Sequence, residues 1–399
     1  MTSPRALENI TVLDLSRVVA GPFSGSILGD LGANVIKIET PGKGDDARAY
    51  APHVNGESAY YANLNRNKRG ITLNLKHPKG KQIFCDLVKK ADVVLENYRP
   101  GVMDRLGLGY DTLKNINPQI VYAALSGFGS YGPYSQRPGY DIISQAMGGL
   151  MSITGQKGDM PTRAGCAMGD ILGGLNLTVG ILAALQARQT LGHGQRVDVS
   201  LVDSVVSSLE NAFIRYFHNR HIPERNGNAY MAIAPYNSYR AKDGYVIIAC
   251  GNQHLYEKLC NDVLNMPEMI TDERFTTIPL RVKNNDIQTA YIERWTTQRT
   301  VKEIVEIVLG NGIPAAPIYD IGQIVEDEHI AGAREMFIDV THPVIGPMKV
   351  NGNPIKLLDT MPEVRCPAPT LGQHNQEILH EMLGMTEADV QALAAEGVL

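Results

Sequence analysis

The chain has 399 residues, 44% of them hydrophobic and 20% charged, enough for two domains or for one large and one small. A formal net charge of −5 and the absence of a long basic run argue against nucleic acid as a partner. Five widely spread cysteines, without a C-x-x-C pair, fit reduced thiols in a cytosol better than a disulfide framework.

The opening residues 1–9 lack the apolar core of a signal peptide, and no apolar run approaches the length of a membrane span. A cytoplasmic protein without membrane contact is expected. Residues 10–15 read as a buried strand, 16–22 as a loop, the stretch to about Leu31 as a helix ended by Gly32, and 35–39 as a second strand. This unit imitates a dinucleotide-binding one. However, Val18-Val19-Ala20-Gly21-Pro22 carries no G-x-G-x-x-G, which argues against an NAD enzyme and leaves a parallel α/β sheet. A polar loop at 42–48 and an aromatic cluster, Tyr50, Tyr60 and Tyr61, come next. Residues 67–70 read as a turn into a strand at 71–76, and 78–90 as a helix. Residues 91–97 form a strand running into the turn Tyr98-Arg99-Pro100-Gly101, and 120–125 another strand after two short helical pieces. Strands alternating with helices at this spacing indicate a doubly wound parallel sheet, in which ligands bind at loops beyond the strand C-termini. The loops at Val18, Asn97 and Ser126-Gly127-Phe128-Gly129 are of that kind.

The stretch Gly165-Cys166-Ala167-Met168-Gly169-Asp170-Ile171-Leu172-Gly173-Gly174 sets one acid between glycines. Helical spacing begins there, with Leu175, Val179, Leu182 and Leu185 able to share a face, and closes at Gly192 before a strand at 196–201. Asp170 is therefore at or near a helix N-terminus, where the macrodipole and free N–H groups favour an ionised carboxylate. Two readings stand at this point. One is a helix cap. The other is a carboxylate nucleophile, with glycines letting a bulky acyl group come close. Residues 203–219 read as one long helix. Residues 235–248 read as two strands around Asp243-Gly244, followed by helices to Gly310. Strands at 340–357 and a helical tail complete the chain. The expected organisation is a large α/β domain over 1–200, a smaller α+β domain over 226–318, and a C-terminal part, 330–399, returning to the large domain.

Other chemistries find less support. His218 and His221 have no third ligand nearby, so no metal site is expected. A serine-hydrolase elbow fails at Ser24, because Pro22 and Ser26 stand where its glycines belong. Lys76, Arg99 and Arg105 each read alone as solvated surface charge. Together at strand ends they make a candidate clamp for a diphosphate or 3′-phosphate.

Several pieces, in order, resemble the class III coenzyme A-transferases, the formyl-CoA:oxalate and carnitine CoA-transferase type. They are Val12-Leu13-Asp14-Leu15 through Ala20-Gly21-Pro22, the stretch 31–39, Asn67-Lys68-Arg69 with Leu73 and Lys76, and Ala91-Asp92-Val93 with Glu96-Asn97. Pro100-Gly101, Gly139-Tyr140-Asp141, Gly169-Asp170 and Leu371-Gly372-Gln373-His374-Asn375 continue the likeness over nearly the whole chain. The resemblance implies that Asp170 is the nucleophile, and that Val18, Leu73, Lys76, Asn97, Tyr98 and Arg105 lie along bound CoA. It puts Tyr60 and Tyr140 near the reacting acyl group, with Tyr50 in place of a Trp. It also implies an interlocked homodimer, threaded near 201–225 and 319–340, that uses CoA as a substrate and holds no permanent cofactor.

Three positions depart from the formyl-CoA pattern: Val19 replaces a Gln, Thr40 replaces an Arg, and 227–232 replaces a run of glycines. Segments 44–48, 229–231 and 352–356 look more like the acetyl-CoA:oxalate branch. The superfamily also contains α-methylacyl-CoA racemases, whose His lies where this chain has Tyr140. A phenol with a pKa of about 10 is a poor base at neutral pH. The expected function is therefore transfer of CoA from a short acyl-CoA to a small carboxylic acid, with dicarboxylates such as oxalate first. A racemase and a non-catalytic CoA-binding protein are the alternatives. Arg17 and Arg48 each read either as surface charge or as the partner of a second carboxylate on the acceptor. Backbone N–H groups around Asp170 and near Gly227 are the expected oxyanion donors.

Overall fold

Six stretches rich in Val, Ile and Leu pair in parallel as β1 (Thr11–Asp14), β2 (Asn34–Glu39), β3 (Lys68–Thr72), β4 (Val93–Glu96), β5 (Val121–Ser126) and β6 (Arg196–Ser200) in the computed structural model, which describes residues 4–399. Their order is β3-β2-β1-β4-β5-β6. The sequence of connections reverses between β1 and β4. In such sheets the crevice beyond the carboxyl ends at that point is where ligands bind.

Alternate residues along each strand face opposite sides, and both sides are covered. Val12, Val35, Leu95 and Leu125 pack against Leu28 of α1 (Ala20–Asp30) and against Leu177 and Ile181 of a long helix on one face. Leu13, Ile36, Val94 and Tyr122 pack on the other face. Their partners there are Phe84 and Leu87 of α2 (Pro78–Val88) and the C-terminal helices Asn375–Leu383 and Glu387–Ala395, through Ile378, Leu379 and Leu393. Between β5 and β6 run α3 (Asp141–Met147) and the long helix α4 (Met168–Leu191). Ser200 caps α5 (Leu201–Ser207) directly after β6.

Two compact units result. One holds the chain up to Leu150, Arg163–Ile214 and Glu328–Leu399; the other holds Met151–Thr162 and Arg215–Asp327. In the second, β7 (Tyr236–Arg240) and β8 (Tyr245–Ala249) form the hairpin around Asp243-Gly244, and β9 (Ala315–Pro317) adds to β8. Tyr239, Val246, Phe275, Ile292 and Ile304 make its core. The hairpin Phe337–His342 with Gly346–Asn351 lies in the first unit.

Four sequence expectations change. The buried face of α4 is Gly173, Gly174, Leu177, Thr178, Ile181, Ala184 and Leu185, whereas Leu175 and Val179 are 42% and 64% exposed. Glycines rather than leucines mark the inward face because α1 crosses there at close range. Secondly, α4 is by length and composition apolar enough to cross a membrane, contrary to the reading that no run approaches that length. Its small and apolar residues serve packing against α1, α5 and the sheet. Thirdly, β3 begins at Lys68 and ends at Thr72, so Lys68 belongs to the strand and Lys76 lies beyond it. A buried ion pair of Lys68 holds that register. Lastly, 203–219 is two helices, Leu201–Ser207 and Ala212–Asn219.

Candidate active site

The loop after β1 is the floor of the site, and buried charges pin it. Val18 is held at φ +67°, a left-handed conformation that a β-branched residue rarely adopts. Its backbone is over-determined. Asn97, just past β4, accepts from Arg17 N at 2.7 Å and donates to Arg17 O at 2.8 Å. Asp45 accepts from Val18 N at 3.0 Å. Asp45 in turn is paired with Lys37 Nζ at 2.9 Å, both side chains being wholly buried, and Lys37 also donates to Ser16 O. Beneath them Lys68 Nζ bonds Asp14 at 2.8 Å and Pro22 O and Asn65 at 2.9 Å. Burial would push the Asp14 and Asp45 carboxyls up, but the neighbouring lysine ammoniums hold both below the usual carboxylate range. Burial pulls Lys68 down to about 8 against the attraction of Asp14.

Asp170 reaches this floor from the first turn of α4. Gly174 allows the approach, because a Cβ there would come within 2.6 Å of Ala20 O at the start of α1. Gly173 lies equally close to Leu201, and a side chain on Gly169 would overlap Ser144 Oγ. The Gly169 N–H donates to Asp141 Oδ1 at 2.8 Å. Gln145 donates to Asp141 Oδ2 at 2.8 Å and to Cys166 O at 3.3 Å, and accepts from Ala164 N at 2.9 Å. Among the described residues, no donor is seated on the Asp170 carboxylate. Its pKa is pushed up to about 7, first by burial and then by the Asp141 charge, against the helix-terminus effect that the sequence favours.

Two cavities meet here. One, of about 370 Å³, is lined by Arg17, Val18, Asn97, Tyr98, Arg99, Arg137, Tyr140 and Asp170. The other, of about 380 Å³, is lined by Leu73, Lys76 and Arg105, with Glu39 and Thr40. Arg17 and Tyr98 line both, and the Arg17 guanidinium stands 4.7 Å from the Tyr98 ring centroid. The six positions Val18, Leu73, Lys76, Asn97, Tyr98 and Arg105 thus border two adjoining cavities, one of which is lined by an acid. Such an arrangement suits a long substrate whose reactive end meets Asp170.

A scan against family models matches residues 7–375 to CoA-transferase family III. The chain belongs to this family. The mouse succinyl-CoA:glutarate CoA-transferase is 38% identical, aligned over 100% of this chain and 91% of its own length. The Acetobacter aceti acetyl-CoA:oxalate CoA-transferase is 40% identical over 94% of this chain and 95% of its own. Among solved structures, a CAIB/BAIF family protein from Brucella suis superposes with a TM-score of 0.83 at 38% identity, covering 95% of this chain and 99% of that one. The chain is a family III CoA-transferase with a mixed α/β fold around a parallel sheet.

Within this CoA-transferase the expected site residues separate into groups. Asp170, Val18, Asn97, Tyr98, Arg99 and Tyr140 share the first cavity, and Leu73, Lys76 and Arg105 the second, so the three cations Lys76, Arg99 and Arg105 do not form one clamp. The amide of Asn97 is engaged by Arg17, which makes it a loop clasp. Tyr140 is 71% exposed at the cavity wall. Tyr50 and Tyr60 form a pair with centroids 5.8 Å apart outside both linings; burial and then the Asp170 charge raise the Tyr60 phenol, which places it on the Asp170 side.

Arg48 is not available to a substrate carboxylate. It forms bonds with both Glu39 oxygens at 2.7 and 2.8 Å and lies 3.8 Å from the Tyr61 ring centroid. Arg17 faces the cavity with a looser partner, Asp46 at 3.4 Å. The expected oxyanion donors are largely engaged. Gly169 N–H is bonded to Asp141, Ile171 N–H to Ala167 O, and Gly227 N–H to Gly155 O. Arg137, on the Asp170 cavity and stacked 3.7 Å from the Tyr134 centroid, carried no sequence signal beyond its charge.

Proposed function

We propose that the protein transfers CoA from a short acyl-CoA to a small dicarboxylate through covalent intermediates on Asp170. The observation that carries the reading is the Asp170 carboxylate, free of hydrogen-bond donors among the described residues and facing a cavity that adjoins one lined by Leu73, Lys76 and Arg105. The second cavity carries cations, Lys76 and Arg105, suited to the phosphates of the CoA nucleotide. The first brings the thioester to Asp170.

The ionised carboxylate attacks the thioester carbonyl, forming a mixed anhydride and expelling CoA thiolate. The thiolate then attacks the aspartyl carbonyl, which releases the donor acid and leaves an aspartyl-CoA thioester. The acceptor carboxylate attacks that thioester, freeing the thiolate. The thiolate attacks the acceptor carbonyl of the second anhydride and regenerates the Asp170 carboxylate. Each step exchanges one activated carboxyl for another, and a carboxylate whose pKa is raised is the more basic nucleophile. Arg17, at the wall of the Asp170 cavity, is placed to receive the acceptor's second carboxylate. The names of the mouse and Acetobacter relatives, with glutarate and oxalate as acceptors, support the dicarboxylate class.

We also read the working form as a homodimer, supported by the apolar residues Leu175 and Val179 left exposed on α4. The five free cysteines support a reducing, cytoplasmic location.

The test is a matrix of acetyl-, formyl- and succinyl-CoA against oxalate, succinate, glutarate, acetate and a medium-chain acid, read by mass spectrometry. Transfer should be fastest to a dicarboxylate, and an Asp170 peptide should carry CoA when the reaction is quenched. Highest kcat/KM with the medium-chain acid refutes the dicarboxylate pocket. Exchange of the α-proton without an acceptor identifies a racemase instead.

A further inference from the structure

We infer that Asp141 is a positioning residue that sets the charge and orientation of Asp170. This rests on Asp170 being the nucleophile. Asp141 opens α3, next to Tyr140 of the cavity wall, and is not itself among the residues lining either cavity. Its carboxylate faces the catalytic turn. Oδ1 accepts from the N–H of Gly169, the residue immediately before Asp170, at 2.8 Å. Oδ2 accepts from Gln145, which is itself fully buried and ties down the loop before α4 through Cys166 O and Ala164 N. Ser144, on the same turn of α3, fills the space a Gly169 side chain would need. The first turn of α4 and the loop before it are thus held from one side by Asp141, Ser144 and Gln145 of a single short helix.

The arrangement has an electrostatic consequence. A backbone N–H at a helix start would ordinarily favour the ionised form of an acid in that turn. Here the N–H beside Asp170 is taken by a second carboxylate, which removes a donor and supplies a like charge. The other charged groups facing the cavity are Arg17, Asp46, Arg99 and Arg137, and the phenols near it are Tyr60, Tyr98 and Tyr140. Asp141 is the one whose charge acts on Asp170. Burial and then this like charge oppose ionisation of Asp170, which keeps its proton to higher pH. A more basic Asp170 attacks a thioester faster once ionised. The cost is loss of the ionised form on the acid side.

The test uses the full-length enzyme and its acyl-CoA and acceptor. Asp141→Asn keeps an acceptor for Gly169 N–H and removes the charge. The acid limb of the kcat/KM profile should move down by about one pH unit or more, with kcat lowered on the alkaline plateau and KM for acyl-CoA held. The amide nitrogen so introduced would face the Gln145 amide, so the double change Asp141→Asn with Gln145→Glu restores both an acceptor and a negative charge, and the limb should return upward. An acid limb unmoved in a folded, active Asp141→Asn enzyme overturns the assignment. Should the single variant not fold, the double variant decides: a limb near the wild-type position supports it, and one in the ordinary carboxylate range refutes it. Absence of transfer by the wild-type enzyme would instead count against the proposed function.

Discussion

Replacing Asp170 by Asn should stabilise the fold while abolishing transfer, and the stabilisation should depend on pH in a defined way. The carboxyl is pushed up to about 7 in the folded chain by burial and by Asp141. In the unfolded chain it titrates at about 3.9. The folded state therefore binds a proton that the unfolded state has released over roughly pH 4 to 7, so stability falls as pH rises through that window. If the whole shift counted, the penalty above the window would be about 4 kcal/mol. Asp170 is partly exposed on a cavity open to solvent, and screening reduces the figure to ~1–2 kcal/mol. Asn carries no charge and escapes the penalty. Paired thermal and urea melts of wild type and Asp170→Asn, taken across pH, isolate the term as a difference. That difference should be small at about pH 4 and approach ~1–2 kcal/mol in favour of the variant at about pH 8. A difference independent of pH, or a variant less stable than wild type at the alkaline end, would show that Asp170 is not a destabilised acid.

Three further outcomes are expected. Asp14→Ala leaves Lys68 buried without its carboxylate and should destabilise the first unit by about 3–5 kcal/mol, seen as a lowered denaturation midpoint. Gly174→Ala drives a methyl to within 2.6 Å of Ala20 O, so α1 and α4 must separate. A loss of about 1–3 kcal/mol should accompany a fall in kcat, because Asp170 moves with α4. Asn97→Ala frees the Arg17 backbone from both its bonds, and should raise KM for acyl-CoA more than it lowers melting temperature. A variant with unchanged KM would mean that Asp45 alone holds the loop.

Strand positions were legible because runs such as Val93-Val94-Leu95 and Val121-Tyr122-Ala123 are buried on both faces and announce themselves by composition alone. The Asp243-Gly244 hairpin was legible from its turn. Asp170 stood out because glycines surround it, and those glycines proved to be the positions where α4 touches α3, α5 and α1. The same glycines misled the reading of the helix. A hydrophobic stripe through Leu175 and Val179 scores as the core face, while Gly173, Gly174 and Thr178 score as nothing, although they are the packed side. Lys68 was read into a turn because it stands in the polar run Asn67-Lys68-Arg69-Gly70, yet it is wholly buried in the edge strand β3. Its carboxylate partner lies 54 residues away at Asp14, and no local pattern reveals such a pair. The contact of Asp141 with Gly169 is of the same kind, joining residues 28 apart through the fold of the chain. The engagement of Arg48 by Glu39 was equally hidden, which is why one of two candidate arginines could be chosen only from the structure.

The sheet order of this protein is that of dinucleotide-binding domains, yet the loop that follows β1 is built on a different principle. A glycine fingerprint lets the backbone approach a phosphate by removing side chains. Here the loop keeps Val18 in a strained conformation, at a cost of about 1–3 kcal/mol, and three neighbours hold it there. Asn97 comes from beyond β4, Asp45 from the loop after β2, and Lys37, which anchors Asp45, from β2 itself. The strand ends at the reversal therefore supply a rigid floor. Asp170, the proposed nucleophile, arrives on α4, whose position is set by Gly174 against the very turn the floor leads into. A nucleophile mounted on a separate helix can be tuned by its own neighbours, α3 above all, without disturbing the floor. The proposed nucleophile and the loop at the cavity floor are in this way under separate structural control, joined at Ala20.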